Sequence, residues 1–127
     1  TYRFICDFLS SYGNVLTEHV GDVSLTSLEE KCKADQRIYT RDISWINKAD
    51  VVVAEVSTPS LGVGFTIAYA QSKRKPVICL CHHDSKQKLS AMIAGNQRLN
   101  ILFYHSHEEI DCYLSEFFSQ RKEVYHE

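Results

Sequence analysis

The chain has 127 residues, is 44% hydrophobic and 24% charged, and carries a formal net charge of −2. That is the size and balance of one globular domain and not of a disordered chain. With no basic excess it is not expected to bind nucleic acid, and with no apolar run of about 18 residues it is not expected to span a membrane.

In chain order, residues 2–12, YRFICDFLSSY, place Phe4, Ile5, Phe8 and Leu9 on one helical stripe, which Gly13 ends. Residues 15–20 read as a short strand. Residues 21–34 are polar and irregular, a loop entering a helix near Ser27 or Leu28. Residues 35–50, DQRIYTRDISWINKAD, form the next helix, with Ile38, Trp45, Ile46 and Ala49 on one face. Asp42 falls on that same face. A carboxylate on an apolar stripe costs free energy unless it is paired or functional. Two readings stay open: a functional carboxylate, or an edge aspartate paired with an arginine.

Residues 51–56, VVVAEV, are a continuous β-branched run with Glu55 near its end, as expected of a strand buried on both faces of a parallel sheet. The loop 57–64, STPSLGVG, leads into a helix over 65–73 that ends in basic residues. A second buried strand spans 75–81. Its Cys79 and Cys81 face one way, and His82 and His83 follow. The spacing is not one that zinc sites commonly use, so these read as small buried residues closing a strand, with histidines in the next loop. Five cysteines in all read as reduced intracellular thiols, which places the chain in the cytoplasm, with the nucleus as the alternative. A helix over 85–95, a third buried strand over 99–104 and an amphipathic helix over 106–122 complete the chain. Ser106 and Glu109 suit a capping box, and Ile110, Tyr113, Leu114, Phe117 and Phe118 form the stripe. Four strands alternating with helices give an open, doubly wound α/β sheet.

Such sheets bind ligands beyond the carboxyl ends of their strands, where the loop 57–64 lies. Pro59 stiffens that loop, Gly62 and Gly64 would let backbone approach a ligand, and Ser60 offers a hydroxyl. The following helix presents free N–H groups. The plain alternative is a tight strand-to-helix connection. Tyr39 and Tyr69 read as core edges or as contacts to a base or subunit, and the histidines at 82, 83, 105, 107 and 126 as solvated.

Three blocks together are more specific: YGNVLTEHV, DQRIYTRDISWINKADVVVAEVSTPSLGVGF and LSAMIAG. They closely resemble the 2′-deoxynucleoside 5′-phosphate N-hydrolases, a branch of the nucleoside 2-deoxyribosyltransferase-like superfamily, and the resemblance runs from about Tyr2 to Phe118. It implies a single Rossmann-like domain over 1–127, usually a homodimer or else a subunit of a larger assembly. It implies a deoxynucleoside monophosphate as ligand, with no metal and no cofactor. The reaction implied is cleavage of the N-glycosidic bond by an attacking carboxylate, after which water releases the sugar. Asp42 matches the family aspartate that positions the sugar and attacking groups. Ser60, Leu61, Gly62 and Gly64 match the loop that holds the 5′-phosphate. Ser90, Ala91 and Met92 match a segment that reaches the neighbouring subunit's site, and His19 stands at the end of the TEH strand near the ligand.

Two departures qualify this expectation. After GVG the family pattern continues with an aromatic residue and a nucleophilic glutamate, where this chain has Phe65 and Thr66. A threonine hydroxyl is neutral and a poor nucleophile without a base, and losing such a group costs on the order of 10³-fold in rate. Glu55 is the nearest other carboxylate in sequence, but the family keeps a glutamate there as well. The family pattern also opens with a strand and a loop of the type GSIRGG. The chain as written begins in the helix after them, so the domain is expected to lack the family's first strand and phosphate loop. The expectation is a relative with impaired or lost hydrolysis that binds a nucleotide or serves as a structural subunit. The alternative is an active N-hydrolase that releases a base and 2-deoxyribose 5-phosphate.

Overall fold

The computed structural model of the chain describes residues 1–10 and 28–126. Its centre is the strand β2, Val77–His82, whose residues are buried up to Cys81. Successive side chains of a strand point to opposite faces, so a strand covered on both sides has no polar alternation. Val77, Cys79 and Cys81 face one apolar cluster, and Ile78 and Leu80 face the other. The strand β1, Val52–Glu55, pairs parallel to β2 with Val52 opposite Val77. The strand β3, Asn100–Tyr104, pairs parallel on the other side with Ile78 opposite Asn100. The order is therefore β1-β2-β3.

Parallel strands need crossovers, and helices supply them on both faces. The helices α2, Leu28–Lys48, and α3, Leu61–Ser72, cover one face, contributing Ile46, Ile67 and Ala70 to the first cluster. On the other face, α1, Tyr2–Ser10, brings Ile5, and the last helix, His107–His126, brings Ile110 and Leu114. Ile67, Ile78, Leu80, Ile110 and Leu114 are among the largest fully buried side chains, each contributing about 1.5–3 kcal/mol by leaving water. Helices on both faces make the sheet doubly wound and Rossmann-like, as expected. The apolar stripes expected at Phe4, Ile5, Phe8, Leu9 and from Ile110 to Phe118 all pack into the second cluster.

Several boundaries differ from expectation. The helix start expected near Ser27 or Leu28 falls at Leu28, but that helix and the one expected over 35–50 are a single element, which runs to Lys48. Ile38, placed on its apolar stripe, is exposed. The helix expected from residue 65 begins at Leu61, because Ser60 takes the N-cap: its backbone is extended and its Oγ accepts from the Val63 N–H at 3.3 Å. Two of the residues assigned to the preceding loop, Gly62 and Gly64, are thus helical. The single helix expected over 85–95 is broken into a 3₁₀ helix, His83–Lys88, and a short α4, Ala91–Ala94. Leu89 and Ser90 are extended between them, and each piece has its own cap: His82 Nδ1 accepts from the Asp84 N–H, and Ser90 Oγ from the Met92 N–H. At the final helix, α5, Ser106 Oγ accepts from the Glu109 N–H, but the Glu109 carboxylate reaches back to the His105 N–H at 2.7 Å. The capping box is therefore shifted by one residue from its usual return contact. Three strands stand among the described residues; the strand expected over 15–20, with His19, and the stop at Gly13 lie outside them. No helix among the described residues is long and apolar enough to cross a membrane.

Candidate functional site

The carboxyl ends of the three strands carry one connected set of polar groups. Glu55 ends β1, and its two oxygens accept separate bonds: Oε1 from the Ser57 N–H at 2.6 Å and Oε2 from the Tyr104 hydroxyl at 2.5 Å. Tyr104 ends β3 and is buried. The Ser57 hydroxyl accepts from the His82 N–H at 2.7 Å, at the end of β2. Burial, and then the bond to Glu55, push the Tyr104 phenol above its ordinary pKa, so it stays a donor. Cys81 is likewise pushed up, first by burial and then by the Glu55 charge. Glu55, the other carboxylate near position 66 in sequence, thus has both oxygens committed within the fold.

The chain leaves this set through Ser57 to Ser60, and Ser60 opens α3. Beside the start of α3 lies a cleft of about 790 Å³. Ser60, Leu61 and Gly64 line it from α3, and Lys88, Ser90 and Met92 from the segment around α4. Two serine hydroxyls, a lysine and the open end of a helix therefore face one space, a combination suited to an anionic group. Leu61 and Met92 are almost fully exposed there, at 96% and 81%. The Asn96 and Gln71 amides, 2.7 Å apart, tie the turn after α4 to α3.

The sequence-predicted residues divide around this cleft. Ser60, Leu61, Gly64, Ser90 and Met92 line it together; Gly62 and Ala91 are beside it in sequence but do not. Thr66 does not line it either. At about 100° per residue, Thr66 lies about 160° around the helix from Gly64 and Ala68 but only about 60° from Val63, all three of which do, so it stands beyond one edge of the cleft. Its hydroxyl donates to the Gly62 carbonyl at 3.0 Å, a bond back into its own helix. Asp42 is half-exposed on α2 and pairs with Arg41 at 3.2 Å. The Arg41 guanidinium in turn lies over the Trp45 ring, 4.4 Å from its centroid. Of the two readings of Asp42, the arginine pairing is thus present, and Asp42 and Thr66 make no hydrogen bond or ion pair with each other. Tyr69 donates to Asn47 at 3.0 Å and Tyr39 leans on Phe65 at 6.2 Å, so both join α2 to α3.

Neither glycine at the start of α3 is needed for packing. No glycine among the described residues has a positive φ; a side chain at Gly64 would meet nothing within 4 Å, and one at Gly62 only Ser60 Oγ at 3.9 Å. Cys79 and Cys81 are fully buried, and burial pushes the Cys79 thiol up to about 11, which keeps it neutral. No group of three or more metal-ligating side chains occurs among the described residues. Sequence reading missed Lys88, Ser57 and Tyr104. Lys88 lies in a segment expected only as part of a helix over 85–95; the Ser57 and Tyr104 contacts join positions 25 and 49 residues from their partners, which no local pattern reports.

The profile of the nucleoside 2-deoxyribosyltransferase family matches residues 2–111. The chain is 44% identical over 121 residues to a Mus musculus protein named 5-hydroxymethyl-dUMP N-hydrolase, covering 92% of this chain and 69% of that one. It is 45% identical over 112 residues to a Nematostella vectensis protein with the provisional name 2′-deoxynucleoside 5′-phosphate N-hydrolase 1, covering 87% and 76%. A bacterial protein of the same provisional name, from Syntrophotalea carbinolica, is 39% identical over 109 residues, covering 86% and 76%.

Proposed function

The chain belongs to the nucleoside 2-deoxyribosyltransferase family, and from that premise we propose that it binds 2′-deoxynucleoside 5′-monophosphates beside α3 and hydrolyses them slowly or not at all. The observation that carries this reading is the division of α3. The side with Ser60 and Gly64 places two serines, Lys88 and the first turn of α3 around one cleft. Position 66, where the family resemblance places the nucleophile, holds a hydroxyl bonded to Gly62 O. Gly64, which lines the cleft, weakens the helix by about 1 kcal/mol relative to alanine, and packing gives no reason for it; close approach of a ligand does.

A second copy of the chain is part of this proposal. The helix α3 has no charged residue among its 12, yet Leu61 and Phe65 are exposed on it. Helices apolar all round are normally covered. Tyr39, Ile38 and Met92 add exposed apolar surface nearby. Sedimentation should find a dimer, and Phe65→Asp should shift it toward monomer; a monomeric wild-type chain would remove this part of the reading.

A second reading, an active N-hydrolase, is favoured by the names of the relatives. Incubation with deoxynucleoside monophosphates separates the two. Tight binding with free base appearing no faster than in buffer supports the first reading, and sustained base release supports the second.

A further inference from the structure

Glu55 stands at the edge of the site yet does not line the cleft. Its contacts explain what it does instead. A carboxylate only accepts, and Glu55 accepts twice, from the Ser57 N–H and from the Tyr104 hydroxyl. Ser57 is at the same time held by its hydroxyl to the His82 N–H at the end of β2. The Val56 N–H donates to Leu80 O at 2.8 Å, one step before. Three bonds therefore tie the end of β1 and the residues after it to the neighbouring β2 and, beyond it, to the end of β3, and a fourth holds Ser57 to Glu55. Only Thr58 and Pro59 separate this knot from Ser60, whose hydroxyl caps α3 and faces the cleft.

We propose that Glu55 is a positioning residue: by clamping Ser57 to Tyr104, it fixes where the Ser60 cap and the open end of α3 meet the phosphate of a bound nucleotide. The proposal rests on the reading that the cleft takes a 5′-phosphate. The carboxylate makes both contacts charge-assisted. A glutamine at position 55 keeps one accepting oxygen for the Ser57 N–H, but its amide must then donate to the Tyr104 hydroxyl, which reverses that bond and replaces a short charge-assisted contact with a weaker neutral one. Tyr104 is 3% exposed, and its ring is packed edge-on to His82 at 5.3 Å, so its hydroxyl has little access to water as a replacement.

Two measurements on the full chain test this separately. Amide hydrogen exchange reads the clamp without any ligand. Calorimetric titration with a deoxynucleoside 5′-monophosphate, and with the same nucleoside lacking phosphate, reads the phosphate contribution as the ratio of the two affinities. Glu55→Gln should speed exchange at residues 57–63 while leaving β2 protected. It should lower the phosphate ratio about tenfold, the scale of one good hydrogen bond, with the nucleoside affinity unchanged. Tyr104→Phe removes only the hydroxyl and keeps the ring; it should move both readouts in the same direction and serves as the test if Glu55→Gln does not fold. Combining the two changes should add little to Glu55→Gln alone. Unchanged exchange at residues 57–63 in folded variants overturns the clamp. Equal loss of nucleotide and nucleoside affinity would reduce Glu55 to a general structural role and also overturns it. A wild-type chain without any phosphate ratio overturns the reading of the cleft instead, and the exchange result then still decides whether the clamp exists.

Discussion

The two sides of α3 differ in what they retain. On one side the helix end, the Ser60 cap and Gly64 face Ser90 and Lys88 across a cleft. On the other, Thr66 turns its hydroxyl onto the Gly62 carbonyl of its own helix. Anion binding of this kind draws on backbone N–H groups and a cap, which many sequences preserve. Nucleophilic attack draws on one side chain. The two capacities can therefore part company within a dozen residues, and the proposed function rests on that separation.

The largest test of the contrast restores the missing acid. Residue 66 stands about 60° around α3 from the cleft-lining Val63, so a glutamate there reaches the edge of the cleft, and Thr66→Glu should raise release of free base from a deoxynucleoside monophosphate by about 10³-fold or more. Its effect on nucleotide affinity should be small by comparison. An unchanged rate would mean that more than residue 66 separates this chain from hydrolysis.

Damage to the shared core should affect both sides together. Leu114 is fully buried under the sheet, and Leu114→Ala should cost about 2–5 kcal/mol in denaturant unfolding. The phosphate ratio of the folded fraction should not change. Alkaline pH reads the same core more gently. Burial holds the Cys79 thiol protonated up to about 11, whereas an unfolded chain releases that proton near 9. Because the folded state binds more protons in that window, stability should fall as pH rises from about 9 to 11, by about 2–3 kcal/mol from this group. Tyr104 and Tyr113, both pushed up first by burial, act in the same direction. Cys79→Ala should flatten that part of the pH curve while lowering stability at neutral pH.

The cleft side has its own smaller signatures. Ser60→Ala removes the cap on the Val63 N–H and should cost about 1 kcal/mol of stability while weakening the monophosphate more than the nucleoside. Gly64→Ala should do the reverse to stability. A Cβ there meets nothing within 4 Å, so the helix should gain up to about 1 kcal/mol. Nucleotide binding should nevertheless weaken, because the methyl enters the cleft. If Gly64→Ala stabilises the chain and leaves binding intact, ligand does not approach α3 there.

Much of this was legible in the sequence because it is periodic. The run Val77 to Cys81 announces a strand covered on both faces, and the stripe from Ile110 to Phe118 announces the face that α5 buries. What escaped depended on a cap or on distance. Ser60 draws the start of α3 back to Leu61, turning residues that look like a loop into a helix. Ser90 stops what reads as one continuous helix and starts a new one. The candidate cleft was half legible: Ser60 and Ser90 stood out through the family pattern, but Lys88 did not. The pairing of a half-exposed Asp42 with Arg41 was one of two open readings, since periodicity assigns a face without saying what packs on it. Glu55 was placed correctly at the edge of its strand, but its tie to Tyr104, 49 residues away, is a product of the sheet.

Release of free base is the most direct measurement, made side by side on the wild-type chain and Thr66→Glu with one deoxynucleoside monophosphate whose binding to both has been established by calorimetry. The expected result is comparable binding, with product from the wild type at least about 10³-fold slower than from the variant. Equal rates from the two proteins, with the wild type turning over well above the buffer control, would contradict the assignment of lost chemistry to position 66.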